Sequence, residues 1–322
     1  MEHVIGSFNY LDDSIESSLY RTGKVYLRRD TDGNDRGMHG LKNVRQSVPV
    51  FNARQRDEKP TLHAMGFELL HADLAEPNLH FFNHEQVVSH YYPHCESIIE
   101  AATGAKAFAF DHNLRSAPSK QAKQRIVGGQ HVQEPLQLVH GDYTLTSAPQ
   151  RLRDLTEPPG INDTLRGVLA ADESLISIEQ AQSALADGGR FAIINLWRNI
   201  ANEPVLSKPL ALCDSRSVEP QDLVVFEIHY EDRIGENYFA KQADRHRWFY
   251  YPEMSRDEAL LIKQWDSSGP LAQSEGKQSD ASDRSATSTF SYHSAFEDPG
   301  TPPDAPDRQS IEVRCIVLYE SA

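Results

Sequence analysis

The sequence predicts a mainly β fold: a sandwich or barrel of antiparallel strands with flanking helices. Three observations point there. Short apolar runs bounded by turn residues recur through the second half of the chain. Helix-like spacing is confined to two stretches, 84–105 and 164–187. Neither GxGxxG, GxxxxGK[ST] nor GxSxG falls where a strand meets a helix, so nucleotide-binding and serine-hydrolase readings lack support.

Taken in order, the first 60 residues are polar and turn-rich, and RTGKVYLRRDTDGNDRGMHG reads as short extended pieces joined by Asp/Gly turns. HEQVVSHYYPHCESIIEAATGA (84–105) predicts a helical region that Pro93 interrupts. KAFAFDHNLR (106–115) alternates as a strand, and SAPSKQAKQRIVGGQ follows as a polar loop. LQLVHGDYTL is strand-like, and SIEQAQSALADG supplies helical turns. Strands are then expected in the runs at 190–200, 209–214, 223–231, 247–254, 258–267 and 310–320. Residues 267–289 carry few large apolar groups and read as a mobile surface loop. The loop falls between pieces of one candidate site, so residues 1–322 are expected to form a single catalytic domain. Residues 1–105 would supply N-terminal strands and helices, and 106–320 the core with 267–289 as a flexible insertion.

Composition narrows the function. A net charge of −15 without a long basic run argues against nucleic acid and against an anionic membrane surface. No apolar stretch approaches the roughly 20 residues of a membrane span, and the N-terminus does not read as a secretory signal. Three widely spaced cysteines and no CxxC favour a reducing cytoplasm and argue against a thiolate zinc site. The partner expected is a small molecule; the oligomeric state is left open.

The chemistry concentrates in His140 and Asp142 of VHGDYT, His293 of SYHSAFEDP, and Arg308-Gln309-Ser310 fifteen residues later. Two imidazoles and one carboxylate can occupy one face of Fe(II) and leave the other open. On a strand, residues two apart share a face, so His140 and Asp142 would both point inward, with His293 arriving from a strand across the barrel. In the last strand Arg308, Ser310, Glu312 and Arg314 alternate with Ile311, Val313 and Cys315, which makes one face polar. An anionic ligand would explain at least one arginine, as would an internal Glu312–Arg314 ion pair. In NLWRNI, Asn195, Trp197 and Asn199 share one face and Leu196, Arg198 and Ile200 the other. Arg198 would hold an acidic cosubstrate or a carboxylate such as Asp214. His90 and His94 have a metal-binding spacing, but Pro93 between them and the lack of HExxH favour a structural role.

These segments, with PVLSKPLALCDSRSV, FYYPEMSRDEALLIKQWDS and RQSIEVRCIVLY, resemble a fungal and bacterial family of non-haem Fe(II)/2-oxoglutarate-dependent oxygenases. That family includes aspergillic acid hydroxylase, a fungal gibberellin desaturase, a cephamycin methoxylation protein and an aziridine-forming amino-acid oxygenase. The resemblance covers most of residues 106–320. It implies a double-stranded β-helix (jelly-roll, cupin-like) core and a metal triad of His140, Asp142 and His293. It further implies that Arg308 and Ser310 bind 2-oxoglutarate, with Arg314 and Arg198 as further candidates, and that O2 is consumed. The implied outcome is hydroxylation, desaturation or ring closure at a C–H bond of a specialised metabolite, and arginines near the pocket favour a substrate carboxylate. Two other readings stay open: a non-catalytic small-molecule-binding partner subunit, and a cupin-type iron dioxygenase that needs no 2-oxoglutarate.

Overall fold

The computed structural model describes residues 2–30, 35–116, 137–231 and 233–320. The polar loop expected after residue 115 lies almost wholly outside them. The fold is a jelly-roll of two facing sheets with helices on one side. The smaller sheet is antiparallel throughout, in the order β5 (Phe67–His71), β13 (Glu258–Asp266), β8 (Phe191–Asn199), β15 (Gln309–Leu318), β6 (Lys106–Ser116). The larger sheet begins with β1 (His3–Leu11), β4 (Asn43–Asn52), β12 (Trp248–Tyr250) and β9 (Leu210–Cys213). It continues through β14 (His293–Ala295), β7 (His140–Gly141), β11 (Ile234–Ala240) and β10 (Leu223–His229), and ends with β2 (Tyr26–Arg29) and β3 (Asp35–His39).

Side-chain alternation assigns the faces of the smaller sheet. Register pairs Ser310 with Arg115 and Asn199, Glu312 with Asn113 and Trp197, and Arg314 with Asp111 and Asn195. These nine residues share the inner face. The outer face carries Ile194, Leu196, Ile311 and Val313, all fully buried. It is covered by α1 (Tyr92–Thr103), whose Tyr92, Cys95 and Ile99 belong to the same core. One π-helical turn, Val87–Tyr91, precedes α1 and Pro93 sits in its first turn. The π-helical turn directly before it changes the hydrogen-bond pattern of the helix at that point, and the helical path continues through the proline. Gly104, at φ 70°, closes the helix in the left-handed conformation.

The segment 267–289, expected as a mobile surface loop, is packed over most of its length. Pro270 and Leu271 of a one-turn helix, and Ser279, Asp280, Thr287, Ser288 and Thr289, are buried. Its ends are clasped together: a Cβ on Gly269 would lie 2.5 Å from the Cα of Thr289. The Asp280 carboxylate accepts from the backbone N–H and hydroxyl of Thr289, each at 2.6 Å. The segment is ordered by small polar side chains paired with backbone, a device that apolar content does not register.

Candidate metal centre and cosubstrate pocket

His140, Asp142 and His293 meet in the interior, their ligand atoms all within 4.8 Å of one another. The route differs from the expected one. His293 lies on the strand next to the HxD strand, not across the barrel, and pairs in register with His140. Strand β7 holds only His140 and Gly141, so Asp142 stands just past its end. Gly141 is required there: a Cβ would meet the Phe290 ring at 2.9 Å. The following turn is anchored by Thr144, whose hydroxyl donates to Glu236 at 2.6 Å, and leads into the helix Ser147–Asp154.

Each ligand has one atom committed and one atom facing its partners. His140 donates from Nδ1 to the Leu138 carbonyl at 2.8 Å. Its Nε2 is thereby left as an acceptor, 3.5 Å from Asp142 Oδ1. His293 Nε2 lies 3.9 Å from the same oxygen. The other oxygen, Oδ2, accepts from Asn195 Nδ2 at 3.0 Å and Arg314 Nε at 3.2 Å. Gln264, the extra residue of a bulge in β13, accepts from the backbone N–H of Asp142 at 3.0 Å and reaches His293 Nδ1 at 3.5 Å. Burial, reinforced by His293, pushes the His140 imidazole down to about 3. Burial lowers His293 too. Burial opposes ionisation of Asp142, but Arg314 and the two imidazoles outweigh it and hold the carboxyl below its usual range. Two neutral imidazoles and one carboxylate form a donor set suited to a divalent iron.

The four candidate cosubstrate residues separate. Arg314 is saturated: besides Asp142 it donates to Asp111 at 2.8 Å and Glu312 at 3.3 Å. Arg198 faces away, as its place in the strand requires. It is fully buried beneath the helical layer, donating from Nε to Tyr91 Oη at 3.0 Å and from Nη1 to the Ala72 and Arg256 carbonyls at 2.7 Å. Its Nη2 has no hydrogen-bond partner there, and Asp214 pairs with Arg216. Arg308 and Ser310 remain on the inner face. Arg308 donates from Nη1 to the Lys208 carbonyl at 2.7 Å, and its guanidinium stands 5.5 Å from the Trp197 ring centroid. Arg308 Nε and Ser310 Oγ are both buried without a hydrogen-bond partner. Burial and the nearby Arg115 charge lower Arg308 to about 9. A bound carboxylate would satisfy both orphaned atoms and both charges.

Arg115, Asp111 and Gln264 were not singled out from the sequence, and Asn195 was placed on a strand face without a role. Period-two alternation in DHNLR and INLWRN places three of them on the inner face once the strand register is known. Gln264 owes its position to a bulge, which leaves no mark in the alternation.

A family model described as an oxidoreductase/YMDC permease-like domain matches residues 8–318. An uncharacterized protein in the dcmA 3′ region of Methylophilus leisingeri is 45% identical over 193 residues, 60% of this chain and 88% of that protein. The alpha-ketoglutarate-dependent dioxygenase phiK of a fungal species is 31% identical over 295 residues, 89% of this chain and 90% of that one. The dioxygenase tstK of Talaromyces stipitatus, also alpha-ketoglutarate-dependent, is 29% identical over 318 residues, 94% and 99% of the two chains. The solved structure of the iron and alpha-ketoglutarate-dependent endoperoxidase NvfI superposes with a TM-score of 0.71 over 98% of both chains at 22% identity, a likeness of fold.

Proposed function

The chain belongs to the oxidoreductase/YMDC permease-like family and to the alpha-ketoglutarate-dependent (2-oxoglutarate-dependent) dioxygenases that match it over nine-tenths of its length, and from that premise we propose how its residues divide the work. It is an Fe(II)/2-oxoglutarate-dependent dioxygenase that carries out hydroxylation, desaturation or oxidative cyclisation at a C–H bond of a small specialised metabolite. His140, Asp142 and His293 hold the iron, and the convergence of their ligand atoms within 4.8 Å carries that assignment. Arg308 and Ser310, with Arg115 across the register, receive the far carboxylate of 2-oxoglutarate. Bound iron, with 2-oxoglutarate and O2, supplies the oxidant that removes hydrogen from an unactivated C–H bond.

The protein's own contribution is position and charge. Neutral imidazoles offer lone pairs without adding charge. The two orphaned atoms on the inner face favour the 2-oxoglutarate reading over an iron dioxygenase without it, and the complete donor set favours catalysis over a mere binding subunit.

Residues 1–322 are read as one catalytic unit. The narrower kinship with aspergillic acid hydroxylase, the gibberellin desaturase, the cephamycin methoxylation protein and the aziridine-forming oxygenase belongs to this proposal, on the segments quoted above. So does a cytoplasmic location, supported by three free buried thiols. Among the described residues no helix is long and apolar enough to cross a membrane. The test is aerobic incubation of the full chain with Fe(II) and 2-oxoglutarate, measuring succinate. Succinate is expected from the native chain and not from His140→Ala; equal formation in both would overturn the assignment.

A further inference from the structure

We infer that Asn195 and Arg314 are positioning residues that hold the outer oxygen of Asp142, so that this carboxylate offers the metal a single oxygen. The inference rests on the metal-site reading above and goes beyond it by assigning residues that do not touch the ion. Asp142 Oδ1 faces both imidazole Nε2 atoms, at 3.5 and 3.9 Å. Oδ2 is held from the opposite sheet by Asn195 at 3.0 Å and Arg314 at 3.2 Å. Two donors on one oxygen prevent the carboxylate from rotating to present both.

Asn195 is fully buried in β8, its own Oδ1 without a hydrogen-bond partner, so packing alone holds it. Arg314 spreads its fork over Asp111 at 2.8 Å and Glu312 at 3.3 Å. With its amide turned to offer oxygen, Asn113 accepts from both terminal nitrogens at 2.9 Å. A carboxylate free to chelate with two oxygens would take a position that a chelating cosubstrate and O2 require. Partners outside the ligand set commonly change metal affinity by ten- to a hundredfold.

Two variants separate geometry from charge. Asn195→Ala removes one neutral donor. Arg314→Lys keeps the positive charge and loses the planar fork. The full chain is titrated with Mn(II) under argon, following the electron-spin-resonance signal of the free ion, and thermal unfolding is measured without metal. His140→Ala should lose saturable binding. Asn195→Ala should bind Mn(II) about ten- to a hundredfold more weakly with a near-native melting temperature, and Arg314→Lys should fall between it and the native chain. Native-like affinity in Asn195→Ala, within about twofold, would overturn the clamp while leaving the metal site standing. Native-like binding in His140→Ala would overturn the metal reading itself. Should Arg314→Lys fail to fold, Asn195→Ala decides alone.

Discussion

Two buried arginines in this protein look alike by composition and differ wholly in what they do. Arg198 ties the turn before α1 to the Ala72 and Arg256 carbonyls. Each leaves one nitrogen unpartnered, Nη2 of Arg198 beneath the helical layer and Nε of Arg308 on the inner face beside the equally unpartnered Ser310 hydroxyl. Charge-assisted contacts are worth roughly 1.5–3 kcal/mol, about one to two decades in affinity. Arg308→Ala should therefore weaken 2-oxoglutarate binding to the Mn(II)-loaded chain about ten- to a hundredfold and leave Mn(II) binding unchanged. Arg198→Ala should leave 2-oxoglutarate binding unchanged and lower stability by about 2–4 kcal/mol, because it strands a tyrosine hydroxyl and two carbonyls. Calorimetric titration and urea unfolding give both readouts. Unaltered 2-oxoglutarate binding in Arg308→Ala would move the anchor to Arg115.

At the scale of elements, the folded insertion 267–289 makes the most specific claim about pH. Burial pushes the Asp280 carboxyl up to about 6 from an ordinary 3.8, against the two Thr289 hydrogen bonds. Its folded state thus favours the protonated form. The resulting stability is fully present below the unfolded value of 3.8 and is lost as pH rises through 6. The loss amounts to at most about 3 kcal/mol. Relative to Asp280→Asn, which does not titrate, the native chain should lose melting temperature between pH 4 and 6 and keep a constant offset above that window. A difference that stays constant across the window would contradict the assignment.

The same element shows where sequence reading fails. Its scarcity of apolar residues was read as an inability to order, yet Asp280, Thr287 and Ser288 earn their places through backbone and side-chain hydrogen bonds whose partners are set by tertiary structure. Pro93, by contrast, was legible as an irregularity, though not as one that follows a π-helical turn without ending the helix.

Across the whole molecule, alternation was legible because it depends only on nearest neighbours: Asn195, Trp197 and Asn199 on one face of their strand, Arg198 on the other, and one polar face on β15. Which face turns inward was not, nor was the strand β11. Which strands adjoin was not legible. That is why His293 was expected across the barrel when it pairs beside His140, and why Arg115 escaped notice although it lies across from Ser310. The metal triad was legible because chemistry fixes it: two imidazoles and one carboxylate are needed wherever the strands run, and their ligand atoms converge within 4.8 Å.

The central claim is that one interior site takes Fe(II) on His140, Asp142 and His293 and then 2-oxoglutarate beside it. It is tested most directly by adding Fe(II) and then 2-oxoglutarate to the full chain under argon while recording the visible spectrum. A charge-transfer band that grows to saturation only when both are present, and that is absent in Asp142→Ala, is the expected result. No band in the native chain, or an equal band in Asp142→Ala, would contradict it.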